Sequence, residues 1–147
     1  MARVTAIRIS EKKGMPMRAV SSGLCIENWG LEGDLHAGSG IRQVSLFGIE
    51  SIRKMELPGM EGLCTGRFAE NITTEGIALY ELPAGTHISI GSSELEVTQI
   101  GKACHMECAV FRQKGDCVMP REVIFARVIK GGRIRTGDAV IRLPLQE

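Results

Sequence analysis

Apolar and polar residues alternate along much of this chain, the period of strands that bury one face. Residues 4–10 place Ile7 and Ile9 two apart and predict a first strand, followed by a loop over 11–16. Residues 41–46 predict another strand. Residues 48–55 change period: Ile49, Ile52 and Met55 recur every three positions, which suits one face of a short helix ended by the loop 57–62. The sharpest signal lies at 88–97, where two alternating arms flank a Gly-Ser turn and predict a hairpin. Residues 123–129 are rich in β-branched side chains and predict a buried strand, and 131–141 repeat a short strand with a Gly-Asp turn. Many short strands, a few short helices and frequent glycine turns predict a mainly β, barrel-like fold. No linker interrupts the pattern, so residues 1–147 are expected to form a single domain.

Composition narrows the partners. At 147 residues and 44% hydrophobic content the chain can bury a substantial core. A formal net charge of +1 gives no broad basic face for nucleic acid, and 4% aromatic content leaves little to stack on bases. No apolar run reaches the roughly 20 residues that span a bilayer, and the first residues lack the apolar core of a signal peptide. These features predict a cytoplasmic protein with neither nucleic acid nor membrane as partner. Five cysteines, an odd number without a disulfide-like spacing, read as thiols in a reducing compartment.

Chemistry concentrates in residues 99–122, which hold Cys104, Cys108, Cys117, His105, Lys102, Lys114, Arg112 and Arg121. Lys102 precedes Cys104 by two residues and His105 follows it directly. Cationic neighbours lower a cysteine pKa from about 8.5 and favour the thiolate, which attacks electrophiles or binds soft metals. His105 suits a proton shuttle, and equally a hydrogen-bonded histidine at a strand end. Cys108 and Cys117 suit a resolving pair for an oxidised Cys104. The competing reading is a structural zinc clip of Cys104, His105, Cys108 and Cys117, although the spacing is not a standard zinc arrangement. Cys25 and Cys64 read as small buried groups, and Met55 and Met60 as core filler.

Two further stretches carry candidate ligands. The glycine-rich loop over 29–40 offers Asp34 and His36, with Asp34 also suited to a turn in which it bonds its own backbone. Residues 65–74 offer Arg67, Asn71 and threonines to phosphate or carboxylate oxygens, the alternative being a solvated strand edge. Arg121 and Glu122, after Met119-Pro120, read as an ion pair that braces the loop, with Arg121 facing the site; the alternative is a proline-started turn with solvated charges.

The stretches Gly33-Asp34-Leu35-His36-Ala37-Gly38, Arg42-Gln43-Val44-Ser45-Leu46 and Phe68-Ala69-Glu70-Asn71-Ile72-Thr73-Thr74-Glu75-Gly76 together resemble a MOSC domain. So do Gln99-Ile100-Gly101-Lys102-Ala103-Cys104-His105 and Gly115-Asp116-Cys117-Val118-Met119-Pro120-Arg121-Glu122. MOSC is the module named for the C-terminal domain of molybdenum cofactor sulfurases, and this chain resembles a stand-alone bacterial member. The resemblance implies a β-barrel fold and binding of the pterin-based molybdenum cofactor, molybdopterin. It also implies that Cys104 handles sulfur, as a persulfide, or ligates molybdenum. Asn71 matches an asparagine near the cofactor phosphate in amidoxime-reducing relatives. Those relatives carry a second arginine where this chain has Ala69, and Arg42, Arg67 and Arg121 are available to stand in. Asp34, His36 and Lys102 complete the expected cofactor-binding set. The pyridoxal phosphate chemistry of the sulfurases belongs to a separate domain, so no pyridoxal phosphate site is expected. Implied partners are a cysteine desulfurase or a molybdoenzyme, the implied activity is sulfur transfer, and the alternative is a non-catalytic module that stores the cofactor.

Overall fold

The computed structural model describes residues 2–11, 18–35, 37–53, 70–101 and 122–144, the side chain of Ile52 excepted. Strands dominate: β1 (Arg3–Ile9), β2 (Arg18–Val20), β3 (Ser22–Ile26), β4 (Gly30–Leu31), β5 (Val44–Gly48) and β6 (Ile72–Glu75) form the first half. β7 (His87–Ile90), β8 (Ser93–Ile100), β9 (Ile124–Lys130), β10 (Gly132–Arg135) and β11 (Val140–Arg142) follow. Helix α1 (Ile49–Arg53) and a 3-10 turn (Leu79–Glu81) are the helical pieces among the described residues.

Eight of these strands make one sheet in the order β11-β7-β8-β9-β5-β6-β1-β2. Its two sides curl toward each other, because β1 also meets the chain just before β11: Arg3 bridges Ala139, Val4 N donates to Asp138 O at 2.9 Å, and Val4 O accepts Gly137 N at 2.7 Å. The seam is short, so the fold is barrel-like without a full closing ladder. A second sheet, β10-β3-β4, lies against β8 and β9 and closes the core with Cys25, Leu31 and Ile134.

Local patterning explains most of this. In β8, Ser93, Leu95 and Val97 are buried while Glu94 and Glu96 are half-buried, the period-2 pattern of a strand over a core. β1 buries Val4, Ile7 and Ile9; a bulge between Val4 and Ala6 turns a spacing of three into one shared face. The β7–β8 hairpin closes with Gly91-Ser92 between the paired Ile90 and Ser93. Gly91 has φ of 58°, the first position of a type II′ turn, and a Cβ there would lie 2.5 Å from Asp138 Oδ2.

Two expectations need correction, and a third is met over its described part. The strand expected at 41–46 begins only at Val44. Before it, the side chain of Gln43 takes the ladder's place: its Oε1 accepts Val128 N at 2.9 Å while its Nε2 donates to Asn28 and Gly40. The alternative of a solvated edge for residues 65–74 fails for its described part, since β6 is buried between β5 and β1. The expected helix 48–55 is described over Ile49–Arg53, and Met55 lies outside the described residues.

Candidate functional site

Alternation also decides which residues face away from the core. Val44, Leu46, Ile72, Ile124, Ile7 and Ile9 belong to the interior cluster. Ser45, Phe47, Asn71, Thr73, Phe125 and Arg8 therefore lie on the outer face of β9-β5-β6-β1. That face is not a solvated surface: Phe47, Asn71 and Thr73 are at most 2% exposed, and Glu70 is fully buried beside them.

A row of hydrogen bonds crosses this face. Asn71 Oδ1 accepts Ser45 N at 3.0 Å and Ser45 Oγ at 3.2 Å, and its Nδ2 donates to the Arg8 carbonyl at 3.1 Å. Its backbone adds Arg8 N to Asn71 O at 2.7 Å and Asn71 N to Ser45 O at 2.9 Å. One residue thus joins β1, β5 and β6, and the second amide hydrogen of Nδ2 meets no protein partner among the described residues. Next to it, Arg8 Nη1 donates to Glu70 Oε1 at 3.1 Å and to Thr73 Oγ1 at 2.9 Å.

The row leads to the root of the cysteine segment. Gly101 N donates to Val123 O at 2.6 Å, so the chain leaves β8 and returns to β9 at one point. Gly101 has φ of 78°, a conformation that glycine adopts without strain. Arg42 flanks this neck: its Nε donates to Gln99 Oε1 at 3.0 Å, its guanidinium sits 5.0 Å from the Phe125 ring centroid, and Gln99 Nε2 reaches Gly101 O at 2.8 Å. On the return side, Ser51 Oγ donates to Glu122 Oε1 at 2.6 Å, both residues being buried. Ser51 also lines a cleft of about 210 Å³ with Glu50, Gly76, Ile77, Ala78 and Tyr80.

The sequence candidates divide accordingly. Asn71 lies on the outer face between β5 and β1, and Arg42 reaches that face at Phe125 and Gln99, next to the neck. Asp34 is 7% exposed, and its Oδ1 accepts Ser10 N, just past the end of β1, at 2.8 Å. Cys104, His105, Lys102, Arg121, Arg67 and His36 lie outside the described residues, as do Cys64, Cys108 and Cys117. Cys25 is buried, and burial pushes its thiol up to about 11, which suits the inert role expected for it. Sequence reading missed Arg8, Ser45, Glu70 and Gln99. A charged residue between Ile7 and Ile9 looks like any outward strand position, and only the pairing of β1 with β6 brings it to Glu70.

On the outer side of β7 and β8, His87 Nδ1 meets Glu94 at 2.6 Å and its Nε2 lies 3.8 Å from Glu96. The two carboxylates address different ring nitrogens and do not converge on one point. Among the described residues no group of three or more His, Cys, Asp and Glu could hold a metal ion. Among them, too, no helix is long and apolar enough to cross a membrane.

The family model for the MOSC domain matches residues 33–141, about three-quarters of the chain and the whole stretch from the Asp34 turn to β11. The chain belongs to the MOSC domain family. Solved structures agree on the fold. The YuaD protein from Bacillus subtilis superposes with a TM-score of 0.80 at 20% identity, covering 99% of this chain and 98% of that one. YiiM from Geobacillus stearothermophilus gives 0.71 at 15% identity, covering 98% and 76%. YiiM from Escherichia coli gives 0.62 at 15% identity, covering 98% and 71%. No curated protein matches the chain. Within the MOSC fold, the neck at Gly101 and Val123 is therefore the root of the segment that carries Cys104.

Proposed function

We propose that this MOSC protein binds the pterin-based molybdenum cofactor and carries sulfur as a persulfide on Cys104, for maturation of that cofactor or of a metal–sulfur centre. The observation that carries the reading is the neck itself: Gly101 and Val123 root residues 102–121 beside Arg42, on the face that holds Asn71. The donor set there fits an anionic ligand. Arg42 is exposed, Asn71 keeps an amide hydrogen, and the buried carboxylates Glu70 and Glu122 accept bonds from Arg8 and Ser51. Phosphate oxygens need such charge-assisted donors.

In this reading Arg42, Arg67, Asn71, Lys102 and Arg121 hold the cofactor's polar groups with His36. Asp34, bonded to Ser10 N, braces the loop after β4, and Cys104 would supply a soft thiolate for molybdenum. For sulfur transfer, the Cys104 thiolate attacks the outer sulfur of a donor persulfide. The new Sγ–S bond forms as the donor's S–S bond breaks, and the donor leaves as a thiolate. His105 takes and returns the thiol proton. A cysteine desulfurase is the proposed donor and a molybdoenzyme or its cofactor the acceptor, in the reducing cytoplasm.

Native mass spectrometry of protein purified from a molybdenum-replete host, with Cys104→Ser alongside, tests this. A pterin cofactor mass, together with a one-sulfur adduct lost in Cys104→Ser, is the expected result. A cofactor mass in both proteins with no sulfur adduct marks a storage module instead. Zinc in both, without pterin or sulfur, sinks the proposal.

A further inference from the structure

We infer that Arg8 is an oxyanion-binding residue of the outer face, with Glu70 and Thr73 holding its guanidinium in place. The site rests on geometry; its assignment to the anionic end of the cofactor rests on the proposal above. A guanidinium carries five N–H donors, one on Nε and two on each Nη. The Arg8 bonds to Glu70 and Thr73, at 3.1 and 2.9 Å, both come from Nη1. Nε–H and both Nη2 hydrogens therefore have no protein partner among the described residues. Those two nitrogens form the side-on fork that matches a carboxylate or phosphate.

The arrangement differs from an ion pair built only to join strands, which would use the fork on the carboxylate in a bidentate contact. Here the fully buried Glu70 engages a single nitrogen, while the Arg8 side chain keeps 14% of its surface exposed. Thr73 Oγ1 completes a triangle by donating to Glu70 Oε1 at 3.2 Å, so the guanidinium is fixed from two sides. Its neighbour Asn71, bonded to the Arg8 carbonyl, adds the remaining amide hydrogen on the same face. A held cation with an unused planar fork, beside a spare amide donor, is the chemistry of an oxyanion site. It also supplies an arginine from β1 near Asn71, in a chain that has alanine at position 69.

The test uses the full chain labelled with ¹⁵N, titrated with inorganic phosphate and, separately, with acetate, while the Arg8 Nε–H resonance is followed in wild type and the backbone amides of Asn71 and Thr73 report binding in wild type and variants alike. The resonance is assigned by its absence in Arg8→Lys. That variant keeps a cation for Glu70 but lacks the fork; Arg8→Gln/Glu70→Gln removes both charges together, so no buried carboxylate is left unpaired. Saturable shifts with phosphate or acetate are expected, and whichever anion binds more tightly names the ligand group. Arg8→Lys should bind about tenfold more weakly or worse, the weight of one charge-assisted hydrogen bond, at an unchanged melting temperature. Equal affinity in wild type and both variants, or no shift in wild type, overturns the inference. The two proposals fail separately. Pterin retained equally by wild type and Arg8→Lys, with no phosphate shift, removes Arg8 and leaves the cofactor reading. Phosphate binding at Arg8 in a protein that never carries pterin does the reverse.

Discussion

Asn71→Ala separates two roles that the same residue can play. Its side chain makes three hydrogen bonds in a setting only 2% exposed: two at Oδ1 from Ser45, at 3.0 and 3.2 Å, and one from Nδ2 to the Arg8 carbonyl at 3.1 Å. Alanine removes all three and takes the side-chain partners from Ser45 N and the Arg8 carbonyl. Each net bond is worth about 1 kcal/mol, and a buried group left unsatisfied costs about 1–3 kcal/mol, so the loss should be about 3 kcal/mol. Urea unfolding reads this directly. With a slope of about 2 kcal/mol/M, the midpoint should fall by about 1.5 M at unchanged slope. A midpoint within about 0.3 M of wild type would refute the bridging role, since a residue serving only a ligand can be truncated without unfolding the strands around it.

Two further outcomes follow from local geometry. Burial pushes the Cys25 thiol from an ordinary 9.0 to about 11, with a Ser93 hydrogen bond opposing the shift. The neutral thiol is thus favoured in the folded state, so its contribution is complete below pH 9 and is lost as pH rises through 11, up to about 3 kcal/mol. Denaturation of wild type and Cys25→Ala across that range should show the extra loss only in wild type, and parallel curves would contradict it. Gly91→Ala places a Cβ 2.5 Å from Asp138 Oδ2 and 2.8 Å from Arg133 O at a φ of 58°. The expected cost is about 2 kcal/mol in urea unfolding, and a stability equal to wild type would remove the turn argument.

The hairpin was legible because its signal is local: alternating arms and a glycine that the turn requires sit within ten residues of one another. The helix period was legible for the same reason. The start of β5 was not, because what replaces backbone pairing at Gln43 is a side chain bonded to Val128, 85 residues away. Among site residues, Arg42 and Asn71 were visible as donor types within motifs. Arg8 was invisible, since in its own strand it is simply an outward position between two isoleucines.

The chain's own order of residues thus determined the strand-rich class, the MOSC motifs and the concentration of thiol and cationic chemistry around Cys104. Those rest on period, turn preference and residue type, which are properties of neighbours in sequence. Only the tertiary structure decided how the polar side chains spend their hydrogen bonds. Asn71 is committed largely to Ser45, 26 positions away, and Arg8 is steadied by Glu70, 62 away. Strand order and register fix those meetings, and the pattern within any one strand carries no record of which strand will lie beside it.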